Sequence, residues 1–433
     1  ISSLRHADLI LVLDDGVVIG AGDHVELWPE EAWDRLNAGL TDEEIERIEL
    51  SDTELSLEVN YRHMLIATTY PEDVENRELT WTSSNEAVAV VEEDGIIHTQ
   101  APGTAIITAT SENGVSASCT VTVISKEQPS GPSANTVTRV FGASRYETAF
   151  KTADTLKATL GVDKFETAIV ANGTNFADAL AGSYLAAKKS APILMTDKNA
   201  KNITNLVNYI KANVKPGGTV YILGGYAALP NSIDKGLAGY TVERLAGADR
   251  YETNLMILDA AGVTDEAILV ATGTGFADSL SASATGLPML LVNKELNPQQ
   301  KAFLEAHRNN TKYIIGGTSA VSAKVEQQVA VYGKPERLAG NGRYDTSVLV
   351  AKKFFSNPTS AVVAYGRNFP DGLSGGPLAY AIGGPLLLAE NKQVNTIASY
   401  TKSLGITSGY VLGGSGLVSD ASVKTIFNAK TIK

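Results

Sequence analysis

Cysteine is almost absent from this chain of 433 residues: Cys119 is the only one, so no intrachain disulfide can form. A disulfide-stapled scaffold is excluded, and stability must come from burial of apolar surface. Histidine is scarce as well. His6, His24, His63 and His98 all precede residue 100, which leaves His307 alone in the remainder. That composition argues against a Cys/His dyad, and no His/Cys cluster has metal-ligand spacing. No apolar run reaches the roughly 18 residues of a membrane helix. No Gly-Lys-Ser/Thr follows a glycine-rich loop, so none reads as a phosphate loop. The chain opens with neither an initiator methionine nor a signal-like segment. Ile1 therefore reads as an internal start, with any export signal upstream of it.

Basic residues are missing from one region in particular. Residues 1–124 hold 5 Lys/Arg against 25 Asp/Glu, a net of −20, whereas residues 125–433 hold 31 against 23, a net of +8. The sign changes at SKEQPSGPSANT (125–136), a Pro/Gly/Ser-rich stretch without periodicity, which marks residues 125–137 as a linker. The basic part is the candidate for an anionic partner. A content of 44% hydrophobic and 19% charged residues indicates a folded chain, and its length suggests three or four domains.

What is abundant is repetition. RVFGASRYET (139–148), RLAGADRYET (244–253) and RLAGNGRYDT (337–346) write one motif three times, at intervals of 105 and 93 residues. After each comes a helical pattern, then an apolar strand and a loop closed by an aromatic and an acid: TAIVANGTNFADALAG, AILVATGTGFADSLSA and AVVAYGRNFPDGLSGG. A second short strand follows Pro192, Pro288 or Pro385, and a third ends in Gly-Gly (VYILGG, KYIIGG, GYVLGG). Continuous Val/Ile/Leu strands alternating with helices indicate parallel sheets covered on both faces. From acid to proline the second unit is 10 residues long and the others 14, so its helix is expected to lose about one turn.

With Arg-Tyr-Glu-Thr, Phe-Ala-Asp and Gly-Gly signatures in order over about 300 residues, this part resembles the type 2 cell-wall-binding repeat of Gram-positive surface proteins. The resemblance implies three α/β modules (138–240, 241–333, 334–433) packed as a pseudo-threefold trimer. It also implies non-covalent attachment to an anionic wall polymer, teichoic-acid-like or an acidic polysaccharide, outside the cell and without a cofactor.

The motif also has a physical reading. Ser144-x-x-Glu147 and Asp249-x-x-Glu252 have capping-box spacing, and Gly342-x-x-Asp345 is a weaker version, so helices should begin at Arg145, Arg250 and Arg343. An arginine at a helix start opposes the local positive dipole and requires a negative partner. That partner is either a carboxylate (Asp178, Asp278 or Asp371) or an anionic group of the polymer. Tyr146, Tyr251 and Tyr344 accompany the arginines as candidate contacts. Thr174, Asn175 and Arg367 stand on loops at the carboxyl edge of the sheet, where open α/β folds take ligands. The favoured reading takes Asn175 and Asn368 as helix caps and the loop phenylalanines as core plugs. The Gly-Gly pairs read as tight turns or points of close approach.

Residues 48–124 show short alternating strands between Pro-Glu-Asp, Glu-Asp-Gly and Glu-Asn-Gly turns, the pattern of a small antiparallel β-sandwich. LTWTSSNEAVAVV, DGIIHTQAPGTAIITAT and CTVTV resemble the bacterial Ig-like group 2 domain, which implies a spacer or adhesive role. Trp81 and Cys119 are expected in its core. In residues 1–47, LILVLDDGVVIG predicts two strands about an Asp-Asp-Gly turn. Residues 1–27 resemble the tail of an ABC-transporter ATPase domain. Without its phosphate loop and signature motif, the segment is a poorly packed appendage unable to bind ATP alone. No catalytic or metal-binding residue is assigned. Triplicate residues favour repeated binding, with a wall-polymer hydrolase or a homophilic adhesin as the alternatives.

Overall fold

The computed structural model describes residues 10–14, 17–22, 44–58, 61–71, 78–124 and 135–433. It divides into two compact units, Ile1–Glu127 and Gln128–Lys433.

In the first unit, Ile10–Asp14 and Val17–Gly22 pair antiparallel, matching the two strands expected there. The packing expected of residues 1–9 and 23–43 lies outside the described residues. The sandwich is built around a sheet ordered Glu54–Glu58, Ser116–Ile124, Gly103–Ser111, Leu79–Ser83. A three-stranded sheet joins Arg62–Met64, Ile96–Thr99 and Ala89–Val91, and Arg47–Leu50 pairs with Ala67–Tyr70. Alternate residues Ala105, Ile107 and Ala109 face Cys119, Val121 and Val123 inward, and Trp81 packs against this core. Cys119 is fully buried, and burial above all pushes its thiol up to about 11, as for an inert small hydrophobe. The sandwich is not wholly antiparallel: Glu54–Glu58 runs parallel to Ser116–Ile124, with Leu55 opposite Val121. These strands come from opposite ends of the domain, so no tight turn dictates their relative direction.

The second unit contains three all-parallel sheets of one design. The first is ordered Ile193–Thr196, Phe165–Asn172, Val214–Leu223, Thr241–Leu245. The second is Met289–Val292, Ile268–Thr272, Lys312–Ile315, Glu336–Leu338. The third is Leu386–Ala389, Ser360–Tyr365, Ser408–Leu412, Thr136–Val140, with Thr431–Ile432 at its edge. All residues of Ile268–Thr272 and Ser408–Leu412 are buried, as expected for strands covered on both faces.

The strand that opens each motif belongs to the sheet of the preceding repeat. Arg244 pairs opposite Ile222, Arg337 opposite Ile314, and Arg139, at the start of the first repeat, opposite Val411 of the third. A boundary drawn at residue 240 thus falls between two neighbouring strands of one sheet.

One apolar core spans the repeats, including Ile169, Leu180, Leu223, Leu280, Leu291, Val362 and Leu412. At its edge the rings of Phe176, Phe276 and Phe369 meet one another, with centroids 6.2, 5.6 and 5.7 Å apart. The helices after these rings differ: Ala177–Lys188 has 12 residues, whereas Ala277–Ala282 has 6 and runs on into the 3-residue 3-10 turn Ser283–Thr285, close to the loss of one turn expected from the spacing. In the third repeat Pro370 and Gly372 hold the chain in turns, and the helix Gly375–Ala381 starts late. A Cβ added to Gly376 would lie 2.8 Å from the backbone oxygen of Ser283, so the glycine lets the second and third repeats approach closely.

Candidate functional site

Each position of the triplicated motif has a local task. The leading arginines reach the ends of the third strands: Nη1 donates to the carbonyls of Gly413, Gly224 and Gly316 at 3.0, 2.6 and 2.7 Å from Arg139, Arg244 and Arg337. Their Nη2 groups donate to Asp420, Asp234 and Glu326 at 2.7, 2.5 and 2.9 Å. The motif glycine follows. A Cβ on Gly142, Gly247 or Gly340 would stand 2.3, 2.5 or 2.3 Å from that of Glu147, Glu252 or Asp345. Its N–H donates to the motif threonine (Thr148, Thr253, Thr346) at 3.1, 3.0 and 3.1 Å.

Helices then begin at Arg145, Arg250 and Arg343, as the capping residues predict. Ser144 Oγ accepts from Glu147 N, and Asp249 from Tyr251 N and Glu252 N, while Gly342 supplies no side-chain cap. Arg145, Arg250 and Arg343 each donate Nη1 to a loop carbonyl: Gly173 at 2.7 Å, Gly273 at 2.6 Å and Gly366 at 2.6 Å. The neighbouring tyrosines lie on the same glycines, where a Cβ would come within 2.6, 2.5 and 2.4 Å of the ring.

These arginines also meet residues of another repeat. Arg250 lies over Phe176 of the preceding repeat, 5.7 Å from the ring centroid, and Arg343 over Phe276 at 5.4 Å. The same two arginines act on Asp178 and Asp278. Burial nevertheless dominates: it raises Asp178 to about 6 against the pull of Arg250. Asp278 is also raised, against Arg343 and a hydrogen bond from Thr346. At the boundary between the third and first repeats, a cleft of about 280 Å³ is lined by Ser144, Arg145, Asn368, Asp371 and Gly414. The first glycine of each Gly-Gly pair forms the wall behind the acid. Gly224, Gly316 and Gly413 have φ of +107°, +102° and +95°, and a Cβ there would sit 3.0, 2.3 and 2.9 Å from the aspartate Oδ2. Among the described residues no ion pair joins these arginines to these aspartates. The motif's ion pairs fall to the leading arginines instead.

Each junction therefore offers a guanidinium, a helix N-terminus and a half-buried carboxylate drawn from two successive repeats. A family model described as cell wall binding domain 2 matches residues 139–234, 244–326 and 337–424. The chain belongs to the cell wall binding domain 2 family. A second model, the bacterial Ig-like domain (group 2), matches residues 44–123. Among curated proteins, the N-acetylmuramoyl-L-alanine amidase LytC of Bacillus subtilis (strain 168) is 26% identical over 275 residues, 62% of this chain and 53% of that protein. The amidase enhancer of the same organism is 31% identical over 270 residues, 61% of this chain and 36% of that protein. The chain thus spans about half the length of the first and about a third of the second. Among solved structures, Cwp8 from Clostridium difficile superposes with a TM-score of 0.61 at 24% identity, covering 80% of this chain and 62% of that one. Cwp6 from Clostridium difficile gives 0.57 at 20% identity, covering 88% and 68%. These two share the fold.

Within the cell-wall-binding repeats, the residues singled out from sequence separate into groups. Arg145 and Asp371 share a cleft, and Arg250 and Arg343 face Asp178 and Asp278. The tyrosines support the loop glycines from beneath. Tyr146 donates to Asp197 at 2.8 Å, and burial with this bond lifts its hydroxyl to about 12; Tyr344 bonds Glu390, with the same result. Thr174 donates its hydroxyl to Asn172 at 2.7 Å, and Asn175 accepts from Ala177 N at 3.3 Å, a cap-like bond. Arg367 is engaged by the buried carboxylate of Glu390 and lies beside the cleft-lining Asn368. Sequence reasoning passed over the leading arginines Arg139, Arg244 and Arg337. Their threefold recurrence was the available signal. No group of His, Cys, Asp or Glu among the described residues is placed to hold a metal, and no described helix is long and apolar enough to cross a membrane.

Proposed function

We propose that the chain anchors a surface protein non-covalently to an anionic cell-wall polymer through the repeat junctions, outside the cell. The family makes the repeats cell-wall-binding domains. The observation that carries the finer reading is the junction itself, where an arginine bonded through Nη1 to a loop carbonyl stands near a half-buried aspartate of another repeat. A guanidinium with a helix N-terminus suits a phosphate or carboxylate, and a carboxylate suits sugar hydroxyls. An acidic polysaccharide or a teichoic-acid-like chain presents both kinds of group. Three copies would raise residence through effective concentration.

The proposal includes a pseudo-threefold packing of repeats 138–240, 241–333 and 334–433, supported by the three mutually touching phenylalanines and by the strand Thr136–Val140 in the third sheet. The acidic Ig-like domain is then a spacer or adhesive module, and no residue is given a catalytic role. The test is retention of the full chain on purified Gram-positive walls before and after their anionic polymers are stripped. Binding should depend on the polymers and should fall steeply between 0.15 and 1 M salt, as the Debye length shrinks from about 8 to about 3 Å. Equal retention on stripped walls would remove the anionic polymer as the ligand.

A further inference from the structure

The three junctions differ at the residue that follows Gly-Gly. Tyr226 follows the first Gly-Gly pair, and Thr318 and Ser415 follow the others. Tyr226 is 59% exposed, the most exposed aromatic side chain among the described residues. Single exposed aromatics are ordinary on protein surfaces, but this one is clamped. The Arg244 guanidinium lies 4.3 Å from its ring centroid, and the Arg244 side chain is itself only 11% exposed. Gly224 O and Asp234 hold that guanidinium in place. One face of the ring thus rests on a fixed cation and the other meets solvent.

The clamp is not needed for local structure. Arg139 and Arg337 make the same carbonyl and carboxylate bonds with Ser415 and Thr318 where the tyrosine would be. The position is also close to a junction. Gly224, two residues earlier, abuts the Asp178 carboxylate, and Gly414, the neighbour of Ser415, lines the cleft between the third and first repeats.

We propose that Tyr226 is a sugar-stacking subsite, specific to the junction of the first and second repeats, for a pyranose ring of the wall polysaccharide. The apolar C–H face of the sugar packs on the exposed π face, with its hydroxyls toward Asp178 and its anionic group toward Arg250. A tyrosine offers a large contact area at low entropic cost, and a ring already fixed by Arg244 loses less on binding. The first junction then binds more tightly than the other two.

This inference rests on the polymer-binding reading, and the experiment separates the two. Polysaccharide fragments released from purified Gram-positive walls are titrated with the full chain, with Tyr226→Ser, Tyr226→Phe and Arg250→Gln variants alongside. Tyr226→Ser should weaken binding about tenfold at an unchanged melting temperature, with Tyr226→Phe close to wild type. Sugar-ring protons should show ring-current shifts in the wild type that Tyr226→Ser abolishes. Equal binding by wild type and Tyr226→Ser, with loss in Arg250→Gln, would overturn the stacking subsite and leave the polymer reading intact. No binding by the wild type would overturn both.

Discussion

Asp178 provides a sharp test of the junction electrostatics. Its carboxyl is raised from 3.8 to about 6, because burial outweighs the attraction of Arg250. A folded-state pKa above the unfolded value means that the native protein takes up a proton at this site more readily than the unfolded chain. The resulting stability is fully present below pH 3.8 and is lost as pH rises through about 6. Above that range the ionised carboxylate is a cost. At about 1.4 kcal/mol per pH unit the limit is about 3 kcal/mol, and water reaching the half-buried group reduces it to about half. Asp178→Asn keeps the shape and an acceptor oxygen while removing the charge. It should therefore raise the melting temperature of the full chain by a few degrees at pH 7.5. The gain over wild type should shrink as the pH is lowered from 6 to 4. Thermal unfolding of both proteins across pH 4–8 measures this directly. A lower melting temperature for Asp178→Asn at pH 7.5 would refute the reasoning. It would show that the carboxylate is a net favourable partner of Arg250, whose loss uncovers a charge.

Two further substitutions probe the packing. Gly376→Ala places a methyl 2.8 Å from the backbone oxygen of Ser283 and should cost about 1–3 kcal/mol, read as a lower denaturant midpoint; an unchanged midpoint would deny the close approach of the second and third repeats. Deleting Thr136–Val140 removes the strand paired to Ser408–Leu412, so amides of the third repeat should lose hydrogen-exchange protection although the cut lies at the start of the first; unchanged protection would show that the third sheet does not need it.

Much of this was legible in the sequence, for identifiable reasons. Continuous apolar strands such as AILVAT, punctuated by proline and Gly-Gly, announce buried parallel sheets. Ser144 and Asp249 announce helix starts one residue later. The four residues missing between Asp278 and Pro288 announce a shorter helix, and one is found. The late helix of the third repeat was not foreseen, because Gly372 and Pro370 act locally on a segment of ordinary length. The partner of the second motif arginine was also hidden. Its closest acceptor is a backbone carbonyl of Gly173, Gly273 or Gly366, and a carbonyl leaves no side-chain signature to read. The parallel edge of the Ig-like domain was missed for a related reason: alternation reports which face is buried but not which way a neighbour runs.

The strand exchange between repeats and the composition of the junctions are linked. The leading arginine fastens the opening strand of one repeat to the Gly-Gly end of the repeat before it. That same glycine stands against the aspartate of the candidate site. Six residues after the leading arginine, the helix begins with the arginine that faces this aspartate. A single motif therefore completes one repeat's sheet and supplies the cationic half of the junction it has just formed. Because Thr136–Val140 joins the third sheet, the first motif does for the third repeat what the others do for the first and second. A repeat taken alone would lack an edge strand and would hold an aspartate without its facing arginine. Its half-buried carboxylate would then have only desolvation acting on it. On this account the repeats recur because each is finished by the next, and the polymer-binding junctions proposed here arise only where that completion has taken place.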